Sequence, residues 1–245
     1  MPVVVIIPAR FASSRLPGKP LLDLGGKPMI RHVYERAMQA AVAAVWVATD
    51  DRRIFEVVQG FGGRVVMTSS AHLSGTDRVA EAARAVVPAG AIVVNVQGDE
   101  PLLEPALIDQ VAAPLRQDAA VVMATVAQPL YDLSAGQDPN CVKVVCDRQG
   151  FALYFSRLPI PFERDAGSVV RPLLRHVGLY AYRGDFLQTF AVLAPTELEQ
   201  RERLEQLRVL EHGYRIRVVV VEGGGEAIGV DTPADLQRVR ALLVE

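Results

Sequence analysis

Hydrophobic positions along the chain alternate between two rhythms. Short β-branched runs at 3–7, 45–48, 64–67 and 92–96 are separated by stretches whose apolar residues recur every three or four positions. One such stretch puts Met29, Val33, Tyr34 and Ala37 on one face of a helix that Pro28 can start, and another puts Val79, Ala82, Ala83 and Val86 on one stripe. Helices are also expected over 51–61, 76–87 and 105–117. This alternation predicts βαβ units around a mostly parallel sheet. The run 92–96 is apolar at every position but Asn95, as in a strand covered on both faces. After a strand at 120–126 the rhythm changes. Runs at 142–146, 152–156 and 175–182 read as strands with no comparable helices between them, so residues 140–185 are expected to form an inserted antiparallel element. Leu158-Pro159-Ile160-Pro161 makes a stiff connector there. A helical pattern returns at 197–211, followed by a strand at 215–221, a glycine-rich loop and a closing helix from Pro233. No internal repeat or low-complexity linker divides residues 1–245, so a single domain is expected.

Composition narrows the classes. Half of the 245 residues are hydrophobic, 22% are charged and the net charge is −2, which suits a packed core and argues against a general polyanion binder. The apolar runs are strand-length, well below the ~18 residues of a membrane-spanning helix. The first run stops at Pro8 and Arg10, too early for a secretory core, so a soluble cytoplasmic protein is expected. Cys141 and Cys146 match no zinc or redox spacing and are expected to be reduced.

The charge is segregated. Residues 1–40 carry six basic groups against two acids, whereas residues 197–245 carry ten acids against seven arginines. Arg10, Arg15 and Lys19 lie in the loop after the first strand, where ligands of open α/β sheets bind. Several cations on a small-residue loop suit a polyphosphate. Gly25-Gly26-Lys27 is no P-loop, and no GxGxxG follows the first strand. Asp99, beyond the buried strand and next to Gly98, is well placed for a hard cation such as Mg2+, with Asp231 a second ligand. An acid in Asp231-Thr232-Pro233 also suits a helix cap, so both roles stay open for it.

Taken together, these residues resemble the 3-deoxy-manno-octulosonate cytidylyltransferase (CMP-KDO synthetase) family. The resemblance rests on motifs that run through nearly the whole chain: Ile6-Ile7-Pro8-Ala9-Arg10, Ser14-Arg15-Leu16-Pro17-Gly18-Lys19-Pro20, Ser74-Gly75-Thr76-Asp77-Arg78, Gln97-Gly98-Asp99-Glu100-Pro101, Tyr154-Phe155-Ser156-Arg157, Leu174-Arg175-His176-Val177-Gly178, Leu204-Glu205-Gln206 and Gly229-Val230-Asp231-Thr232-Pro233. It implies a GT-A-like (Rossmann-like) α/β nucleotidyltransferase fold with a mixed, mostly parallel sheet and a dimerising β insertion. The implied reaction joins CTP and the acidic eight-carbon sugar Kdo into CMP-Kdo and pyrophosphate, a step of lipopolysaccharide biosynthesis in the cytoplasm. The resemblance implies that Arg10, Arg15 and Lys19 hold the phosphates and that Asp99 and Asp231 hold Mg2+. It assigns cytosine to Ser74, Arg78 and Gln97, and the sugar to Gln97, Arg157, His176, Glu205 and Gln206. It also implies a homodimer. Residues 163–173 and 222–228 depart from the family pattern. The alternatives are a cytidylyltransferase for another 2-keto sugar acid (amino-Kdo or a sialic acid), a UTP- or GTP-dependent nucleotidyltransferase, and a catalytically silent nucleotide-binding module.

Overall fold

In the computed structural model, residues 1–12, 16–72, 74–132, 134–164, 172–223 and 229–244 are described. The first half builds the expected βαβ units. Strand β1 (Val3–Ala9) leads through the anion loop to a two-stranded hairpin, β2 (Asp23–Leu24) and β3 (Lys27–Pro28), and then to α1 (Met29–Ala37). β4 (Ala44–Thr49), α2 (Arg52–Gly60), β5 (Val65–Met67), α3 (Gly75–Val86), β6 (Ile92–Asn95) and α4 (Pro105–Gln117) follow. The second half contains β7 (Met123–Leu130), β8 (Lys143–Cys146), β9 (Ala152–Ser156), β10 (Leu173–Arg183), α5 (Gly184–Val192), α6 (Glu197–Glu202), α7 (Gln206–Glu211), β11 (Ile216–Val220) and α8 (Pro233–Val244).

The central sheet runs β11-β7-β10-β6-β1-β4-β5. β5, β4, β1 and β6 are mutually parallel, and β11 is parallel to β7. β10 is antiparallel to both of its neighbours, β6 and β7. The expected insert is therefore divided: β8 and β9 form a hairpin that meets β10 through Lys143 and Arg175, while β10 itself lies inside the central sheet.

Strand pleating sends alternate side chains to opposite layers. Val3, Val5 and Ile7 join a core under α1, α2 and α4, whereas Val4 and Ile6 join a core under α3, α5 and α7. Each helix covers its layer with an apolar stripe, such as Val79, Ala80, Ala82 and Ala83 on α3. A small third core of Leu24, Met29, Val230, Leu236 and Val239 seats α8 on the β2–β3 hairpin. No helix among the described residues is long and apolar enough to cross a membrane.

Two helical features differ from the sequence expectation. The stretch 197–211 is broken into α6 and α7 at Arg203, a non-glycine residue with φ 54°. α5 occupies a stretch for which the pattern predicted no helix. Its buried Phe186, Leu187 and Phe190 sit beside α3 and β10.

Candidate active site

Because β1 lies between β4 and β6, the loops leaving their carboxyl ends meet over one point of the sheet. They form a cleft of about 390 Å³ lined by Arg10, Lys19, His72, Ser74, Arg78, Gln97, Gly98, Asp99 and Asp231, among others. Gly98 lets the strands converge, since a Cβ there would stand 2.8 Å from the Pro8 carbonyl oxygen.

Lys19 Nζ donates to Asp99 Oδ2 at 2.7 Å and to Asp231 Oδ1 at 3.0 Å. Three residues far apart in sequence thus share one point. Burial alone would lower the Lys19 pKa, but the two carboxylates, Asp99 foremost, outweigh it and hold the ammonium charged. The cap question at Asp231 is also resolved. Thr232 Oγ1 accepts from Asp235 N at 3.2 Å and Thr232 N donates to Asp235 Oδ2 at 2.8 Å, so Thr232 and Asp235 cap α8 reciprocally. Asp231 turns toward Lys19, and its loop is tied back by the Val230 N–H donating to the Asp99 carbonyl at 2.9 Å. Two carboxylates that converge on one cation fit Mg2+, which takes one or two protein carboxylates and completes its shell with phosphate oxygens and water. No group of three or more acidic, histidine or cysteine ligands occurs among the described residues, so any ion here needs oxygens from elsewhere.

The cleft brings together most of the residues expected to hold the nucleotide, with Arg10 exposed on its wall. Arg15 lies outside the described residues. Ser74 caps α3, its Oγ accepting from Asp77 N at 3.1 Å. The Arg78 side chain is almost fully buried and already committed, donating to Asp50 Oδ2 at 2.7 Å and Thr68 Oγ1 at 2.6 Å. It braces the end of β4 as well as lining the cleft.

Gln97 connects this cleft to a second, polar region. Its Nε2 points at the Gly178 carbonyl on β10, 3.5 Å away, between His176 and Tyr180. Thr76 Oγ1 on α3 donates to Glu205 Oε2 at 2.6 Å, which brings the start of α7 to the same place. Glu205 Oε1, Glu100 Oε2, Asn95 Oδ1 and Gln206 Nε2 are buried without any hydrogen-bond partner in the protein. Tyr180 is close enough to Glu205 and Glu100 to feel both charges, and Tyr182 lies beside Thr76, Asn95 and Glu205. Desolvation, then the neighbouring Asp99 charge, raise the Glu100 carboxyl to about 8 against the pull of Arg175. Burial likewise raises Glu205. Unpaired buried polar atoms are costly unless a ligand or water completes them, and these atoms together can accept from and donate to the hydroxyl groups of a polar molecule. Asn95, Glu100, Thr76 and Tyr180 were not among the residues singled out from sequence. Thr76 and Glu100 stand inside the Ser74–Arg78 and Gln97–Pro101 motifs, and Asn95 is the one polar residue of an apolar run, which were the available signals; Tyr180 sits in a strand with nothing to mark it.

Two expected sugar contacts are placed differently. His176 Nε2 lies 2.9 Å from Thr125 Oγ1, whose proton goes to the Leu179 carbonyl at 2.9 Å. With the Thr125 proton on that carbonyl, the matching tautomer donates through Nε2 and keeps Nδ1 as an acceptor. Packed against Phe155 and Tyr180, the ring is desolvated and its pKa falls to about 3. Arg157 is not brought to the cleft. Its guanidinium donates to three backbone carbonyls, those of Glu202 at 2.6 Å, Pro139 at 2.8 Å and Arg203 at 3.3 Å.

Comparison with known proteins identifies the family. Residues 4–216 match a family model described as cytidylyltransferase. The 3-deoxy-manno-octulosonate cytidylyltransferase of Geobacter sulfurreducens is 54% identical over 98% of both chains, and that of Vibrio cholerae serotype O1 is 53% identical over 100% of this chain and 99% of its own. A solved CMP:2-keto-3-deoxy-manno-octonic acid synthetase complexed with CTP is 48% identical, with a TM-score of 0.93 over 100% of this chain and 99% of that one. The chain thus belongs to the cytidylyltransferase family, among the 3-deoxy-manno-octulosonate cytidylyltransferases.

Proposed function

We propose that the protein transfers CMP from CTP to the anomeric hydroxyl of Kdo, releasing pyrophosphate and supplying CMP-Kdo for lipopolysaccharide assembly in the cytoplasm. The observation that carries this reading is the adjacency, through Gln97, of the Lys19–Asp99–Asp231 cluster and the polar region that holds Glu205. The first suits a metal-bound triphosphate and the second a polyhydroxy acid. CTP is the nucleotide in the similar synthetase, and Kdo is named in the relatives' activity.

Transfer requires the anomeric hydroxyl to attack the α-phosphorus in line with departing pyrophosphate, so the protein contributes position and charge neutralisation. Arg10 and Lys19 draw the phosphates into the cleft, joined by Arg15 from the same loop. Lys19 is placed to give its charge to phosphate oxygens, and Asp99 and Asp231, which it now pairs, are the residues that would hold Mg2+. The ion, when bound, neutralises triphosphate charge and lowers the pKa of a hydroxyl close to it. Ser74 and Arg78 border the nucleobase end, while Gln97, Glu205 and Gln206 bind sugar hydroxyls. His176 stays neutral and offers Nδ1 as an acceptor. A second copy of the chain completes the assembly: Leu153, Leu158 and Phe162, 63%, 71% and 88% exposed, present apolar surface on and after β9 that suits a homodimer.

The test is pyrophosphate release by the purified protein with CTP, Mg2+ and a panel of 2-keto sugar acids. Release with Kdo is expected. Release with N-acetylneuraminate and none with Kdo overturns the sugar, and equal turnover of UTP overturns the nucleotide.

A further inference from the structure

Glu205 is held at one oxygen and left open at the other. Thr76 Oγ1 donates to Oε2 at 2.6 Å, while Oε1 is buried with no hydrogen-bond partner among the described residues. A natural partner stands close by. Arg208, one turn further along in α7, brings Nη2 to 3.9 Å from Oε1, within ion-pair range and beyond hydrogen-bond reach. Oppositely charged residues three apart on a helix readily close such a pair; here the guanidinium is already taken. Its Nε and Nη2 donate to Glu199 Oε2 at 2.8 Å and to Glu199 Oε1 at 2.5 Å, a two-bond fork between planar groups. Glu199 is itself fixed, since Oε2 also accepts from Thr196 N at 3.2 Å in the capping box of α6. From another side the guanidinium faces the Phe190 ring of α5, 5.6 Å from its centroid. The two side chains of the fork are only 12% and 13% exposed, so solvent and salt do little to loosen it.

A closed Arg208–Glu205 pair would use up the acceptor that a sugar hydroxyl needs. We infer that Glu199 and Arg208 are positioning residues for the sugar: Glu199 holds the guanidinium just short of Glu205, so that Oε1 stays open to accept from a substrate hydroxyl. At 3.9 Å the cation still favours the carboxylate form across the gap. Burial raises the Glu205 pKa, and Thr76, Ser74 and Arg208 oppose it. The other titratable groups facing Glu205 are Asp77 on α3, which works against ionisation, and Tyr180 and Tyr182 on β10, whose own pKa values are raised above the ordinary tyrosine value. Both proposed positioning residues act through Glu205, and the inference rests on the reading of Glu205 as sugar-binding.

Two variants should move Glu205 in opposite directions. Arg208→Gln removes the cation, whereas Glu199→Gln keeps it and leaves Glu205 as the carboxylate within its reach. The Glu205 titration is followed by carbon-13 NMR of the glutamate carboxyls, its signal identified by its loss in Glu205→Gln. It should shift to higher pH in Arg208→Gln and to lower pH in Glu199→Gln. In steady-state pyrophosphate release both variants should raise the sugar KM by about tenfold, the scale of one hydrogen bond to a charged group, with the CTP KM nearly unchanged. For Arg208→Gln the sugar KM relative to wild type should fall back as pH rises from 7 to 9, because the carboxylate form returns. For Glu199→Gln it should stay level, because the acceptor is occupied at every pH. Glu100, raised to about 8, titrates in all three proteins and cancels in that ratio. A Glu205 titration unmoved in Arg208→Gln overturns the inference, and so does a wild-type sugar KM in Glu199→Gln. A level loss of sugar affinity in both variants would mean that the fork only holds α6 against α7, and overturns it too. A wild type that uses none of the 2-keto sugar acids overturns the proposed function instead, and the opposed NMR shifts then decide whether Glu199 restrains Arg208. Should Arg208→Gln fail to fold, Glu199→Gln carries the test through its downward shift and level KM ratio.

Discussion

Lys19 donates to Asp99 across 80 positions of sequence, at 2.7 Å, and that single contact fixes where the basic loop meets the end of β6. Asp99→Asn should leave the fold in place, with a melting temperature within about 5 °C of the wild type. Metal-dependent turnover should fall by a factor of at least ~100, the scale of losing one preorganised electrostatic contact to the transition state. Wild-type turnover in this variant would remove Asp99 from the metal site; calorimetric unfolding and a pyrophosphate assay read the two quantities separately.

The desolvated His176 makes stability depend on pH in a predictable direction. Its folded pKa, about 3, lies below the ordinary value of 6.5, so between these values the unfolded chain binds a proton that the folded one refuses. This contribution is fully present above pH 6.5 and is lost as pH falls toward 3. His176→Asn should therefore show a shallower decline in melting temperature than the wild type between pH 7 and pH 4. Parallel declines would mean that the ring is protonated in the fold.

Gly98→Ala tests the close approach of β1 and β6 beyond their carboxyl ends. The added methyl would meet the Pro8 backbone oxygen at 2.8 Å and the Ile7 side chain at 3.6 Å. Since Pro8 is backbone and cannot rotate away, the loops must part, at a cost of about 1–3 kcal/mol. Parting them also moves Asp99 relative to Lys19, and a displacement of this kind is expected to lower kcat by at least ~10-fold. A fully active alanine variant would mean that the loops tolerate the shift.

Lys143→Met removes an ammonium that satisfies three backbone carbonyls in the interior. Methionine fills the space but donates nothing, so urea unfolding should register a loss of about 3 kcal/mol. A loss under 1 kcal/mol would show that water reaches these carbonyls once the lysine is gone.

The parallel half of the fold was legible because its strands and helices obey simple periods, down to Pro28 just before α1. The second half was harder. α5 spans only nine residues, so Phe186, Leu187 and Phe190, though spaced as on a helix face, make a pattern too short to stand out, and β10 serves both as the inner strand between β6 and β7 and as the strand that receives β8. The break at Arg203 had no signal at all, since glycine or asparagine is the usual mark of a left-handed residue. In the candidate site the charged residues on loops stood out. Arg157 stands away from the cleft with three carbonyl partners, and an arginine in a substrate-like motif looks the same in sequence whether its partners are a sugar acid or carbonyls.

Asp231 belongs to the loop before α8, and α8 rests on the small core of Leu24, Met29, Val230, Leu236 and Val239. That core is separate from the two large ones that hold the sheet together. The helix can therefore detach in a local opening that costs far less than global unfolding, and each such opening carries one of the two carboxylates out of the cleft. On gentle heating the Lys19–Asp99–Asp231 cluster should come apart while the sheet is still intact, so that the proposed transfer would cease before the chain stopped being folded.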